Sequence, residues 1–333
     1  MKGLNKLALA TAVAAAPFAA QAELTAMSDQ AMGDTTGQAG VTIELNTQVS
    51  MDQIQYSQST DSAATGSLLV NNLSIGGMDS GGPFGEGLDV AINVDLPSGQ
   101  TAEDSLSDFG SKAGSADPAL GGQDLALNDG DALISVQSYK TDADGDAVPV
   151  DMNLNIGGTA NNALQLESSD GDSSATLVSS IDMDVFLSQL DIIARTDNVV
   201  GGDSSSGSLE IEAGFAIDNL NAEFDVAAVG LEGMRMAGAG SLPILKGAAK
   251  GNGDVLGGGA AIVSMDIGQG QALSGTGTAN GETLRVNLDN FQADVWMPTI
   301  NVGGGDGTTA SVGSVGISNL QVSNTQMAIY GRE

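Results

Sequence analysis

The sequence predicts an all-β protein: long, bent antiparallel hairpins that form a folded sheet, a sandwich or a flattened barrel. Three observations carry this expectation. Apolar and polar residues alternate at period two, as in Leu88, Val90, Ile92 and Val94, and again in Val150, Met152, Leu154 and Ile156. Such alternation marks strands with one buried face. Turn-forming clusters such as "MDSGGPFGEG" and "IGGTANN" separate these runs. Helical periodicity is nearly absent after Gly37.

Taken in order, residues 1–22 read as an export signal. Lys2 and Lys6 give the charged region, Leu7 to Phe18 the apolar run, and Ala20-Gln21-Ala22 the small-residue cleavage pattern. Cleavage is expected before Glu23, and the apolar run is shorter than a bilayer span requires. Residues 23–40 read as a short helical element and joint. Ser28 is placed as a cap, Met27 and Met32 as a staple, and Gly33 or Gly37 as a stop. Residues 41–333 read as one all-β domain that opens on a strand from Val41 to Val49. Its one candidate point of subdivision is the weakly patterned stretch 96–130.

The alternation changes phase repeatedly. Leu209, Ile211, Ala213, Phe215 and Ile217 hold odd positions; after Asp218-Asn219, Leu220, Ala222, Phe224 and Val226 hold even ones. The same shift occurs at Asp289-Asn290, Ser318-Asn319 and Asn71-Asn72, and with glutamine at Ser188-Gln189. A phase change in a strand requires an extra residue or a corner. Asn suits such a position because it tolerates left-handed backbone and bonds its own main chain. Asn72, Gln189, Asn219, Asn290 and Asn319 are therefore read as structural bends. A ligand site is the competing reading, and the apolar flanks favour bends.

Asn290 and Asn319 are equidistant from a point inside "VGGGDGTT", and Gln189 and Asn219 nearly so from the middle of "GGDSSSG". Two hairpins with facing bends follow, one of which sets Val286 near Ser323. A direct repeat competes: "VNLDNFQADVWMPTI" lies over "VGISNLQVSNTQMAI", which in a β-solenoid would stack Val286 on Val315. Irregular spacing of the copies favours the antiparallel arrangement.

Composition excludes several functions. Lys and Arg number 10 against 42 Asp and Glu, for a net charge of −32. Such a surface repels nucleic acid and anionic lipid, and attracts cations or basic partners. There is no Cys and no His. Their absence removes Ser-His-Asp triads, Cys nucleophiles, ordinary zinc sites and haem ligation through either residue, so no enzyme is expected. One Trp, three Tyr and seven Phe are too few for base-stacking platforms or for the aromatic girdles of an outer-membrane barrel.

Asp142, Asp144 and Asp146 place three carboxylates on one loop, at the first, third and fifth positions of a calcium loop. Ala147 stands where the loop glycine belongs and Asn153 where the bidentate glutamate belongs. The loop reads as a Ca²⁺ candidate or as an ordinary Asp-Gly turn; no other cofactor is expected. The stretch "GSLPILKGAAKGNGDVLGGG", with Lys246 and Lys250, lacks phosphate-loop order and reads as an exposed flexible loop. Trp296 reads as a packed cover residue or as an exposed contact. Met234, Met236, Phe215 and Phe224 are the candidate lining of a lipid channel.

The stretches "LTAMSDQAMGDTTGQAGVTIEL" and "VGISNLQVSNTQMAIYGRE" resemble the FilA-like family of pilus-system proteins secreted by Gram-negative bacteria. The resemblance covers about forty residues at the two ends and is compositional between them. It implies export and association with surface filaments, and carries no catalytic residue. The combined expectation is an exported, non-enzymatic structural protein at the cell surface or outside the cell, with the periplasm as the other compartment. It would act as a filament or adhesive component. Its partners would be itself or other surface proteins, met through strand edges, with Val41 to Val49 as the candidate donor. Nucleic acid is not expected as a partner. Nor is the chain expected to be an integral membrane protein, though outer-membrane association stays open. The alternative is a β module that binds lipid, glycan or a cation.

Overall fold

A computed structural model describes residues 41–57, 66–78, 87–95, 130–141, 148–200, 206–249, 253–273, 283–303 and 310–330. The expected leader, the expected 23–40 element and the Asp142, Asp144 and Asp146 loop lie outside these residues. The chain is mostly β, with 70% strand, one short helix and one large antiparallel sheet that includes a partial ring.

Among the described residues the strands fall into eight rungs laid side by side in chain order. The first joins β1 (Val41–Thr47) and β2 (Val49–Ser57); the second joins β3 (Ser67–Gly76) and β4 (Leu88–Asp95). The third joins β5 (Ala132–Gln137), β6 (Val150–Ile156) and β7 (Leu164–Glu167); the fourth joins β8 (Ser174–Val178) and β9 (Ser180–Arg195). The fifth is β10 (Ser208–Phe224), and the sixth joins β11 (Val229–Ala237) and β12 (Ala261–Gly270). The last two are β13 (Thr283–Val302) and β14 (Ser311–Ile329). Segments within a rung lie end to end: β5 and β6 both pair along β9, and β12 and β11 both fill the gap between β10 and β13. The split sixth rung is what closes the partial ring β10–β12–β13–β11.

Every strand pair among the described residues is antiparallel, which excludes solenoid stacking there. The register corrects one detail. Val286 lies opposite Met327, and Ser323 lies opposite Asn290. The bends are staggered rather than facing. Asn319 lies beside Asp294, and in the other hairpin Gln189 faces Gly214 while Asn219 faces Asp184.

The breaks between β5 and β6 and between β12 and β11 fall on one transverse line. Neighbouring strands change partner between Val136 and Val150, between Phe215 and Ile217, and between Gln292 and Asp294. At this line the chain leaves the sheet after Ala237 and returns at Ala261. The Gly238 amide donates to the Gly259 carbonyl at 3.1 Å and closes the base of the excursion. A Cβ on Gly238 would meet the Ala260 carbonyl oxygen at 2.7 Å, so glycine is required there.

The excursion carries helix α1 (Leu242–Gly247), with proline in its first turn, and a 3-10 turn at Asp254–Gly258. Leu245 and Val255 are fully buried and pack with Ala216, Ala237, Phe186 and Trp296. The stretch expected to be an exposed loop is, in its described part, a packed cap. Its glycines masked the two apolar anchors. Trp296 is partly buried beneath it, with Lys246 Nζ 5.2 Å from the ring centroid.

Candidate assembly interface

Residues opposite each other on paired strands share a face of the sheet. One row can be followed across all eight rungs: Val41, Val94, Ile134, Ile192, Ile211, Met265, Leu288 and Thr325. The adjacent row points the other way and is polar throughout: Thr42, Asn93, Ser135, Asp191, Glu212, Ser264, Asn290 and Ser323. The next is apolar again: Ile43, Ile92, Val136, Leu190, Ala213, Val263, Phe291 and Val322. Period-two alternation in the sequence is the trace of these rows.

The phase shifts serve the same end. At Asp218-Asn219 the register between β10 and its neighbours slips by a residue, and Ile217 and Leu220 join one apolar cluster with Val185, Met234 and Val295. At Asp289, one extra residue lets Leu288 stay in an apolar row and Asn290 enter the polar one. Asn72 (φ 51°) and Asn319 (φ 56°) take left-handed backbone, as does Asn324 (φ 54°). Asn219 and Asn290 are not among the left-handed residues. Met234 is buried in this cluster, and Phe215 and Met236 are partly buried and pack against it.

The polar rows are internally bonded. Ser135 Oγ donates to Asp191 Oδ1 at 2.6 Å and Thr42 Oγ1 to Asn93 Oδ1 at 2.7 Å. Arg195 donates from Nε and Nη2 to Glu210 Oε2, at 2.8 and 2.6 Å, and faces Asp131. Acid density shows in the titration of this face. Burial, then Asp289, push the Asp266 carboxyl up to about 7. Burial, then Glu210 and Asp191, raise Glu212. Asp89 goes the other way. Burial raises it, but hydrogen bonds from Lys140, Tyr139 and Asn46 outweigh that and hold it at about 2. Through Asn46 Nδ2, at 2.6 Å, Asp89 fastens β1 to β4. Among the described residues no acidic group has the geometry to hold a metal ion.

Sequence reasoning missed two hubs. Asn71, beside the expected bend at Asn72, is buried; it accepts from Gln53 Nε2 at 2.8 Å and donates to the Asn162 carbonyl at 2.8 Å. Asp294 is fully buried and receives two backbone amides. An acid inside the apolar run "FQADVWMP" was the available signal.

The outer rungs differ from the interior ones. Among the described residues, β1 and β2 pair on one side only, with β4 and β3, and β14 pairs only with β13. All of β2 is exposed, and all of β1 except Thr47. Val41, Ile43 and Met51 stand out on one edge, and Val315, Met327 and Ile329 on the other. Lys and Pro are two of the devices that guard sheet edges; residues 41–57 and 311–329 contain neither. Among the described residues each edge therefore has one side without a strand partner, beside aliphatic side chains.

A family model described as "Family of unknown function (DUF6160)" matches residues 1–105, a span that reaches through β1, β2, β3 and β4. No curated protein and no solved structure matches the chain.

Proposed function

We propose that the chain is an exported, non-catalytic structural protein of the cell surface, which builds a filament or an adhesive layer by pairing its open strand edges. One observation carries the reading: the first and last rungs are both exposed, both aliphatic and both without Lys or Pro. An edge of this kind is a template for another strand. The leader-like residues 1–22 and the resemblance to pilus-system proteins supply compartment and context. The lack of Cys and His withholds the usual nucleophiles and bases. Sedimentation of the leaderless chain over a range of concentrations tests the proposal. Concentration-dependent growth into large particles is expected, and a monomer at every concentration overturns it.

A second reading rests on the apolar rows. Leu209, Leu284 and Met327 project from the apolar side with 39%, 47% and 47% of their surface exposed, which suits an acyl chain as well as a protein strand. Flotation with neutral phosphatidylcholine vesicles tests it: co-flotation supports lipid binding, and protein left at the bottom of the gradient removes it.

A further inference from the structure

Resting on the proposal that the edges assemble, we infer that the β14 edge takes the β1–β2 edge of a second copy, so that growth is head to tail in one continuous sheet. The rung count sets the geometry. Neighbouring rungs alternate in direction, so the eighth runs opposite to the first. A second copy displaced sideways, without rotation, then presents β1–β2 antiparallel to β14. The row that ends at Thr325 meets a row that begins at Val41, with the apolar side kept on one face.

The two edges also match in length. β1 and β2 contribute 7 and 9 residues and β14 contributes 19. Charge then separates this pairing from its rivals. β14 has no charged residue, whereas β1 and β2 carry Glu44 and Asp52. Two β1–β2 edges paired about Gln48 would set Glu44 against Asp52, like charges directly opposite in a chain of net charge −32. Two β14 edges escape that penalty but meet another. Gly313 and Asn319 have positive φ and sit where the register of β14 against β13 slips. Two such edges would have to match one irregularity against another, whereas no described residue of β1 or β2 has positive φ. The β14 edge with the β1–β2 edge is the combination without either conflict. Such a contact is heterologous and does not close by symmetry, so it propagates.

The absence of Cys makes a cross-linking test clean. Ile43→Cys, Val322→Cys, Thr325→Cys and Met327→Cys are each prepared as single variants of the chain without residues 1–22, together with the Ile43→Cys/Val322→Cys double variant. Under mild oxidation, covalent dimers are expected in mixtures of Ile43→Cys with a β14 variant and not in any variant alone. The double variant is expected to give a ladder of covalent oligomers. Dimers of a single variant with itself overturn the inference in favour of like-with-like pairing. An intramolecular cross-link in dilute double variant overturns it in favour of a closed barrel. Large particles without any of these cross-links also overturn it, yet leave the assembly proposal standing. A chain that stays monomeric removes both.

Discussion

The buried Asp294 carboxylate accepts the Asn319 amide at 2.5 Å through Oδ1, and the Leu242 amide at 2.8 Å through Oδ2. One side chain thus ties β13 to the bend in β14 and to the first turn of α1. The bend and the cap share an anchor, and the bend belongs to the edge strand proposed to assemble. Replacing Asp294 with Ala leaves two amides without their acceptor and is expected to cost about 3 kcal/mol. The urea midpoint of the variant measures this, and an unshifted midpoint would contradict the assignment.

The left-handed backbone at Asn319 and Asn72 gives a test of bend against ligand site. At such positions glycine adopts the geometry freely and alanine does not, a difference of roughly 1 kcal/mol. Asn→Gly is expected to preserve the melting temperature at both sites, and Asn→Ala to lower it. Equal losses from both substitutions would show that the side chain, rather than the backbone, is what matters.

Leu245 holds the cap onto the sheet and is fully buried beside Val255 and near Trp296. Leu245→Ala is expected to cost about 2–5 kcal/mol if the cap stays docked around a cavity. Trp296 is the chain's one tryptophan, so its fluorescence reports the same event. A red shift with the strand signal retained is expected; unchanged emission and stability would show that the cap is not anchored there.

Two carboxylates give opposite pH dependences. Asp266 is raised to about 7 in the fold, by burial and then Asp289, from an ordinary value of 3.8. The folded state therefore holds a proton that the unfolded chain releases. Its stabilising contribution is full below about pH 4 and is lost as pH rises through about 7. Asp89 is held at about 2, so its contribution is full above about pH 4 and is lost as pH falls towards 2. Asp266→Asn is expected to raise the urea midpoint at pH 8 and leave it unchanged at pH 4. A gain of the same size at both pH values would contradict the assignment.

Much of this fold was legible because cross-strand rows and sequence alternation are one pattern seen in two directions. Val41, Ile43 and Leu45 alternate because each begins or extends a row, and Leu209, Ile211 and Ala213 alternate for the same reason. The phase shifts at Asn72, Asn219, Asn290 and Asn319 were visible because they interrupt that period. Register was not visible, since period-two patterning is indifferent to shifts by two residues. Val286 therefore met Met327 rather than Ser323. The split sixth rung was hidden too, because nothing in β11 or β12 marks them as halves of one rung. In the cap, Leu245 and Val255 were lost among glycines. Asn71 was missed because an amide inside a strand pattern carries no local sign of being a buried hub, and for Asp294 the one local sign was an acid inside an apolar run.

The central claim is that the outer rungs are assembly edges. Negative-stain micrographs of the chain without residues 1–22, beside its Ile43→Lys and Met327→Lys variants, test it most directly. These side chains are exposed, so the charge should block pairing without unfolding the sheet. Extended particles from the unmodified chain, reduced to monomers with the same circular dichroism by either lysine, are the predicted result. Particles from all three proteins, or from none, would contradict it.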